Sequence, residues 1–201
     1  MLKPLEIYDF MQDVVTNNDA VIEDFAIGLT WTYCRSANSG LCMTSEVRDR
    51  AFDWPGNIKG QPVSQLANMI TDWHGMKSSM ALAAINSVVN ARMPDNYMML
   101  EPEADSANLA VFHYFLPFIK NKNCVVIGRY PGLDQLQQKY GLKIIELNPG
   151  ANDLPAPAAE YVLPRAEWVF MTGSSIANKT FPRLMELSKN ANVVLMGPSV
   201  P

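Results

Sequence analysis

Three glycines close three apolar runs in the second half of the chain: Gly128 after CVVI, Gly173 after WVFMT and Gly197 after VVLM. A glycine at such a point permits positive φ and lets backbone N–H groups approach a ligand, and a following helix adds partial positive charge. That chemistry suits an anion or a phosphorylated, nucleotide-like molecule. The first loop, Gly128-Arg129-Tyr130-Pro131-Gly132, stands where a dinucleotide phosphate loop would, but without the GxGxxG spacing. Glu146 follows 18 positions after Gly128, close to the offset at which an acidic side chain meets ribose hydroxyls. The alternative is that the glycines only shape a turn and Glu146 is a solvated strand end. The second loop, Thr172 to Thr180, is the most polar. Ser174 or Ser175 can cap a helix or touch a ligand. Asn178 and Lys179, about one turn inside, could reach a carboxylate or phosphate or lie on a solvated face.

Metal-ligating and nucleophilic residue types are sparse. Cys34, Cys42 and Cys124 are an odd set with no CxxC pair, which argues against a disulfide framework or a structural zinc site and for buried core thiols. Cys34 and Cys42 could be cross-strand neighbours, yet two thiols without an adjacent histidine make an incomplete tetrahedral site. If a metal binds, oxygen ligands from Glu146 or loop carbonyls fit better, which implies a hard ion. His74 and His113 are the two histidines. Neither has a partner at helical ligand spacing, and His113 reads as a packed helix residue. No GxSxG motif is present.

The elements that must position these residues fall into two halves. Residues 4–17 read as a helix with Leu5, Tyr8, Met11 and Val15 on one face. Phe25 to Cys34 alternates large and small residues and predicts one strand whose bulky face, Phe25, Ile27, Leu29, Trp31 and Tyr33, meets a core. Ser36 to Gly40 then turns the chain into a hairpin partner at 41–44. Residues 45–61, with Trp54-Pro55-Gly56-Asn57, predict a loop, followed by helices near 63–73 and 76–91. Met80, Ala83, Ala84, Ser87, Val88 and Ala91 form a narrow small-residue face on the latter, with Asn86 beside it. Met93 to Asp105 is the expected domain boundary, and 106–119 a helix that Pro117 kinks or ends. Strands at 124–128, 142–147, 167–171 and 192–196 then alternate with helices near 132–140 and 176–189 and a Pro-rich loop from Pro149 to Pro164, which implies a parallel sheet.

The chain has 201 residues, 48% of them hydrophobic, and 16 basic against 20 acidic side chains for a net charge of −4. It can bury a sizeable core, and its charge argues against nucleic acid or an anionic membrane as the main partner. With no 18-residue apolar run and no signal-peptide pattern, the expectation is a soluble, cytoplasmic protein. The chain stops just beyond a strand at Gly197-Pro198-Ser199-Val200-Pro201, and a truncated chain is expected.

The segments AIGLTWTYC, LAAINSVVN, VVIGRYPGL, TGSSIANKT and NVVLMGPSVP, in that order over almost the whole chain, resemble the family described as "putative heavy-metal chelation". The resemblance implies an α/β protein: an α+β domain similar to the enolase amino-terminal domain over 1–100, and a Rossmann-like domain over 101–201 whose C-terminal part is missing. It also implies a site between the two. Carried over by motif, it brings Asn86, Gly128, Pro131, Glu146, Thr172, Gly173, Asn178, Thr180, Gly197, Pro198 and Ser199 to that site; Lys179 is not a fixed position of the motif. Arg129 and Ser174 join them as loop neighbours. The function implied is binding of a small molecule, a metal ion or a metal chelate. The alternative is an enzyme or binding protein that holds a nucleotide, S-adenosyl or phosphorylated ligand on the glycine loops. Reaction type and oligomeric state are not written in these residues.

Overall fold

A computed structural model describes residues 5–46, 57–91, 96–101 and 109–201. The expected loop around Trp54, most of the boundary at 93–105 and the first turn of the helix at 106–119 lie outside them. The chain forms two compact units, one of Met1–Pro94 with Gly173–Pro182 and Met196–Pro201, the other of Asp95–Thr172 with Arg183–Leu195. Among the described residues no helix is long and apolar enough to cross a membrane.

The first unit holds α1 (Glu6–Thr16), the antiparallel strands β1 (Asp24–Ile27), β2 (Trp31–Arg35) and β3 (Ser39–Met43), the short helix α2 (Val63–Ala67) with a 3₁₀ turn at Asn68–Thr71, and α3 (Gly75–Val89). Its core is α3, buried from Ser78 to Val88 on every side, where the sequence marks only a narrow face. The reason is that α3 packs against α1, α2, the 3₁₀ turn and the sheet together, so no side is left to solvent. Tyr8, Met11 and Val15 of α1 are buried as their spacing requires.

The expected strand from Phe25 to Cys34 is two strands. Gly28, Leu29 and Thr30 turn the chain, with the Gly28 N–H donating to Trp31 O at 2.9 Å. The turn reverses which parity faces inward. Phe25 pairs with Cys34 and Ile27 with Thr32, so these share a face, while Trp31 and Tyr33 lie on the other with Met43 and Leu41. The buried face is the small one, Thr32, Cys34, Gly40 and Cys42, and Leu29 and Trp31 are exposed. Close approach explains the reversal. A Cβ on Gly40 would stand 2.2 Å from Ala83 O and 2.3 Å from Ser87 N, so the helix backbone lies almost against the strand and bulky side chains have no room there.

The second sheet is five-stranded, in the order β6 (Leu154–Pro155), β5 (Lys143–Glu146), β4 (Cys124–Ile127), β7 (Trp168–Thr172), β8 (Asn192–Met196). β4 pairs in parallel with β5 and β7, and β5 with β6, as the alternation of strands and helices predicts. β4 is buried at all four residues, which is why its sequence is a continuous apolar run. Helix α4 (Ala110–Ile119) ends two residues beyond Pro117. Its Phe112 and Phe115 rings pack on Phe170 of β7, at centroid separations of 5.0 and 5.6 Å. Helix α5 (Leu133–Tyr140) lies between Gly132 and Gly141, both at positive φ.

Two further segments differ from the sequence reading. The Pro-rich stretch 149–164 is not a plain loop; it contributes β6 and α6 (Ala159–Val162). The single helix near 176–189 is two, α7 (Ser174–Ala177) and α8 (Phe181–Leu187), broken where Lys179 takes φ +67. A left-handed residue ends the i to i−4 ladder, and apolar spacing carries no sign of it.

Candidate functional site

In the first unit, five of the residues singled out by sequence meet. Gly173 has φ −62, so its role is proximity and not a left-handed turn. An added Cβ would stand 2.5 Å from Val200 N and 2.6 Å from Ser199 C. The Gly173 N–H donates to Met196 O at 2.8 Å. Gly197 does take positive φ, at +92, and the turn it makes brings Pro198 and Ser199 against strand β3. There Met43 N–H donates to Ser199 Oγ at 2.9 Å. Asn86, on α3, donates through Nδ2 to Leu41 O at 2.9 Å and to Pro198 O at 3.5 Å. Asn86 is fully buried, and its Oδ1 has no hydrogen-bond partner among the described residues. Cys42 sits beside Ser199 and Ser79, and burial pushes its thiol up to about 11. Replacing Ser199 with alanine orphans the Met43 N–H and is expected to cost about 1 kcal/mol, read as a lower urea midpoint.

The break between α7 and α8 places a cation that the sequence reading left open. Lys179 is half-buried, and its Nζ donates to Ser78 Oγ and, at 3.2 Å, to Ala177 O. The ammonium also lies 5.1 Å from the centroid of the Tyr8 ring, whose hydroxyl donates to Ile176 O at 3.0 Å. Burial lowers the Lys179 pKa to about 8, against the opposing pull of Asp72 and Cys42. Asp72 is itself paired with Lys77 at 3.2 Å. Asn178 and Thr180 serve the break: Asn178 Oδ1 accepts from Thr180 N at 3.1 Å and Thr180 Oγ1 at 2.7 Å. Ser174 is the first residue of α7.

In the second unit the Gly128 loop is built on internal bonds. Gly128 has φ +93 and donates to Ile145 O at 3.0 Å. A Cβ there would stand 3.0 Å from Thr172 Cγ2. Both oxygens of Glu146 accept backbone N–H groups, Oε1 from Arg129 at 2.5 Å and Oε2 from Leu147 at 2.9 Å. The Arg129 guanidinium holds Asp153 in a bidentate pair, Nε to Oδ2 at 2.9 Å and Nη2 to Oδ1 at 2.5 Å, and reaches Asp134 at 2.8 Å. The Asp153 side chain is 1% exposed and also accepts Gly150 N–H at 2.9 Å. Arg129 therefore spends its charge on the loop itself, and Pro131 stands exposed beyond it. Burial and the Arg129 partnership act oppositely on Asp153; the partnership wins and holds its carboxyl below the ordinary range.

Ser78 and Asp153 are the polar residues the sequence did not single out; Tyr8 stands there only as a helix-face residue, and Lys179 as either a ligand contact or part of a solvated face. A lysine after asparagine in a supposed helix is a weak signal for a left-handed break, and nothing local marks Ser78. Among the described residues, no three His, Cys, Asp or Glu side chains gather as a metal site.

Two family models match the chain. DUF364 covers residues 110–201 and DUF4213 residues 8–89, and both carry the description "putative heavy-metal chelation". Among solved structures, a protein of unknown function from the DUF364 family of Desulfitobacterium hafniense DCB-2 is 30% identical. Its TM-score is 0.79, and the match covers 98% of this chain and 78% of that one. A DUF364 protein of unknown function from Pyrococcus horikoshii has a TM-score of 0.76 at 18% identity, covering 98% of this chain and 79% of that one, a likeness of fold. The comparison with curated proteins found no match.

Proposed function

The chain belongs to the DUF364 family, and from that premise we propose that it binds a small, anionic, oxygen-rich ligand of the metal-chelate class, held in the first unit by Lys179. The observation that carries this reading is a half-buried ammonium whose hydrogen bonds go to two neutral acceptors, Ser78 Oγ and Ala177 O. An ammonium has three N–H donors, and its third is offered to a ligand oxygen. A carboxylate brought to a partly desolvated cation gains a charge-assisted bond that a solvated pair does not. The thiols support the same division of labour. Burial pushes Cys34 and Cys42 up to about 11 and Cys124 up to about 12, which raises the cost of the thiolate that soft-metal binding needs. In this reading the ligand supplies the metal's donors and the protein holds the ligand.

The test is calorimetric titration of citrate and ferric citrate into wild-type protein and Lys179→Met. Removing the ammonium is expected to weaken binding about tenfold or more, the worth of one charge-assisted hydrogen bond. Wild-type affinity falls as pH rises through about 8, because the cation is lost there. The folded pKa lies below the ordinary lysine value, so the ammonium's burial penalty is fully present below about 8 and is relieved as pH rises above it. Lys179→Met removes that penalty, and its melting temperature at pH 7 is expected to be no lower than wild type. Equal citrate affinity in the two proteins would refute the reading.

A further inference from the structure

Lys179 has a second chemical capacity. A neutral amine carries two N–H donors and one lone pair. Ser78 Oγ and Ala177 O supply two acceptors to Lys179 Nζ, so the neutral form is satisfied as donor and keeps its lone pair for a ligand. The Tyr8 ring lies alongside Nζ, and Tyr8 is itself buried and tied to Ile176 O, so that wall is fixed. The lysine backbone adopts φ +67, which is unfavourable for a residue with a Cβ and holds only where the surroundings impose it. The side chain is thus positioned by its fold, and a fixed amine in an amphipathic setting is the arrangement from which nucleophilic lysines act.

We propose that Lys179 condenses reversibly with a small oxo acid, an aldehyde or ketone bearing a carboxylate, to form an imine; this rests on the Lys179 ligand reading above. The Nζ lone pair attacks the carbonyl carbon, the C–N bond forms, and the carbonyl oxygen takes a proton while the nitrogen loses one. Ser78, hydrogen-bonded to Nζ, passes that proton through its hydroxyl. Water then leaves as the C=N bond closes, so the balance is amine plus carbonyl to imine plus water, with no oxidant or reductant. Partial burial assists by populating the neutral amine near neutral pH. Asp72, paired with Lys77, together with Cys42 and Tyr8, are the ionisable groups facing this nitrogen.

The experiment is reductive trapping. The whole protein is incubated with glyoxylate and cyanoborohydride at pH 7 and at pH 9, and labelled lysines are mapped by peptide mass spectrometry. Lys179 is expected to label about a hundredfold faster at pH 7 than the surface lysines Lys120 and Lys139, because a pKa of about 8, against an ordinary lysine value of about 10.4, leaves over a hundredfold more free amine at that pH. Lys179→Arg removes the primary amine and is expected to lose the adduct. Ser78→Ala is expected to slow Lys179 labelling and flatten its pH profile without abolishing it. Labelling of Lys179 no faster than the surface lysines overturns the imine. If citrate binding by wild type persists in that case, the ligand reading stands alone; if both fail, the site is misassigned.

Discussion

Gly40→Ala is expected to lower stability by about 3 kcal/mol or more, the upper range for overpacking a close-packed contact. The new methyl would meet Ala83 O at 2.2 Å, Ser87 N at 2.3 Å and Asn86 C at 2.7 Å. All three are backbone atoms of a helix buried on every side, so no side chain can swing away. Strand and helix must separate, and with them go the Asn86 bond to Leu41 O and the Ser36 to Ser87 hydroxyl contact at 2.6 Å. Gly141→Ala is the control. Nothing lies within 4 Å of its Cβ position, and only its φ of +66 opposes the change, at about 1 kcal/mol. Urea unfolding followed by circular dichroism distinguishes the two. If Gly40→Ala has the wild-type midpoint, strand β3 does not lie on α3 as described.

The second large effect is expected from Asp153→Ala. Its carboxylate is 1% exposed and holds the Arg129 guanidinium in two bonds while accepting Gly150 N–H. Removing it takes two charge-assisted bonds from Arg129, which keeps Asp134, and orphans the Gly150 N–H, a loss of about 2 kcal/mol or more. The pH dependence has a definite sign. Arg129 depresses the folded Asp153 pKa below its ordinary value, so the stability it provides is fully present above about 4, the unfolded carboxylate range, and is lost as pH falls below that through the folded value. Wild type should therefore show an acid-side decline in urea midpoint that Asp153→Ala shows less of. Parallel declines in the two proteins would mean that Arg129 does not rely on Asp153. The same experiment bears on ligand binding, because an Arg129 held by Asp153 and Asp134 serves the loop that Glu146 closes.

How far the sequence reading carried depended on whether a residue's role is set by its neighbours along the chain. The parallel strands were legible at 124–127 and 168–172 because a strand buried on both faces must be a continuous apolar run, and nothing distant alters that requirement. Gly128 and Gly197 were legible as positive-φ turns at strand ends for the same local reason. The hairpin through Ser36 to Gly40 follows from turn composition. At Phe25 to Cys34 the alternation was real but its phase was not, since one tight turn at Gly28 exchanges the faces. Arg129 and Glu146 were identified as polar loop groups, yet Asp153, 24 positions from Arg129, and the Arg129 amide, 17 positions from Glu146, become their partners only through the return of a distant segment.

By itself the sequence determined the parallel α/β sheet, the burial of the three thiols, and a glycine and small-residue framework that marks close backbone approach. These follow from period, volume and backbone freedom, which act within a few residues. Only the tertiary structure decided that Ser199 reaches Met43 across 156 positions, that Asn86 meets Pro198 across 112, and that Lys179 rests on Ser78 across 101. The energy of a buried cation or an orphaned amide depends on which groups surround it in space, and a chain read in order contains those groups without their distances.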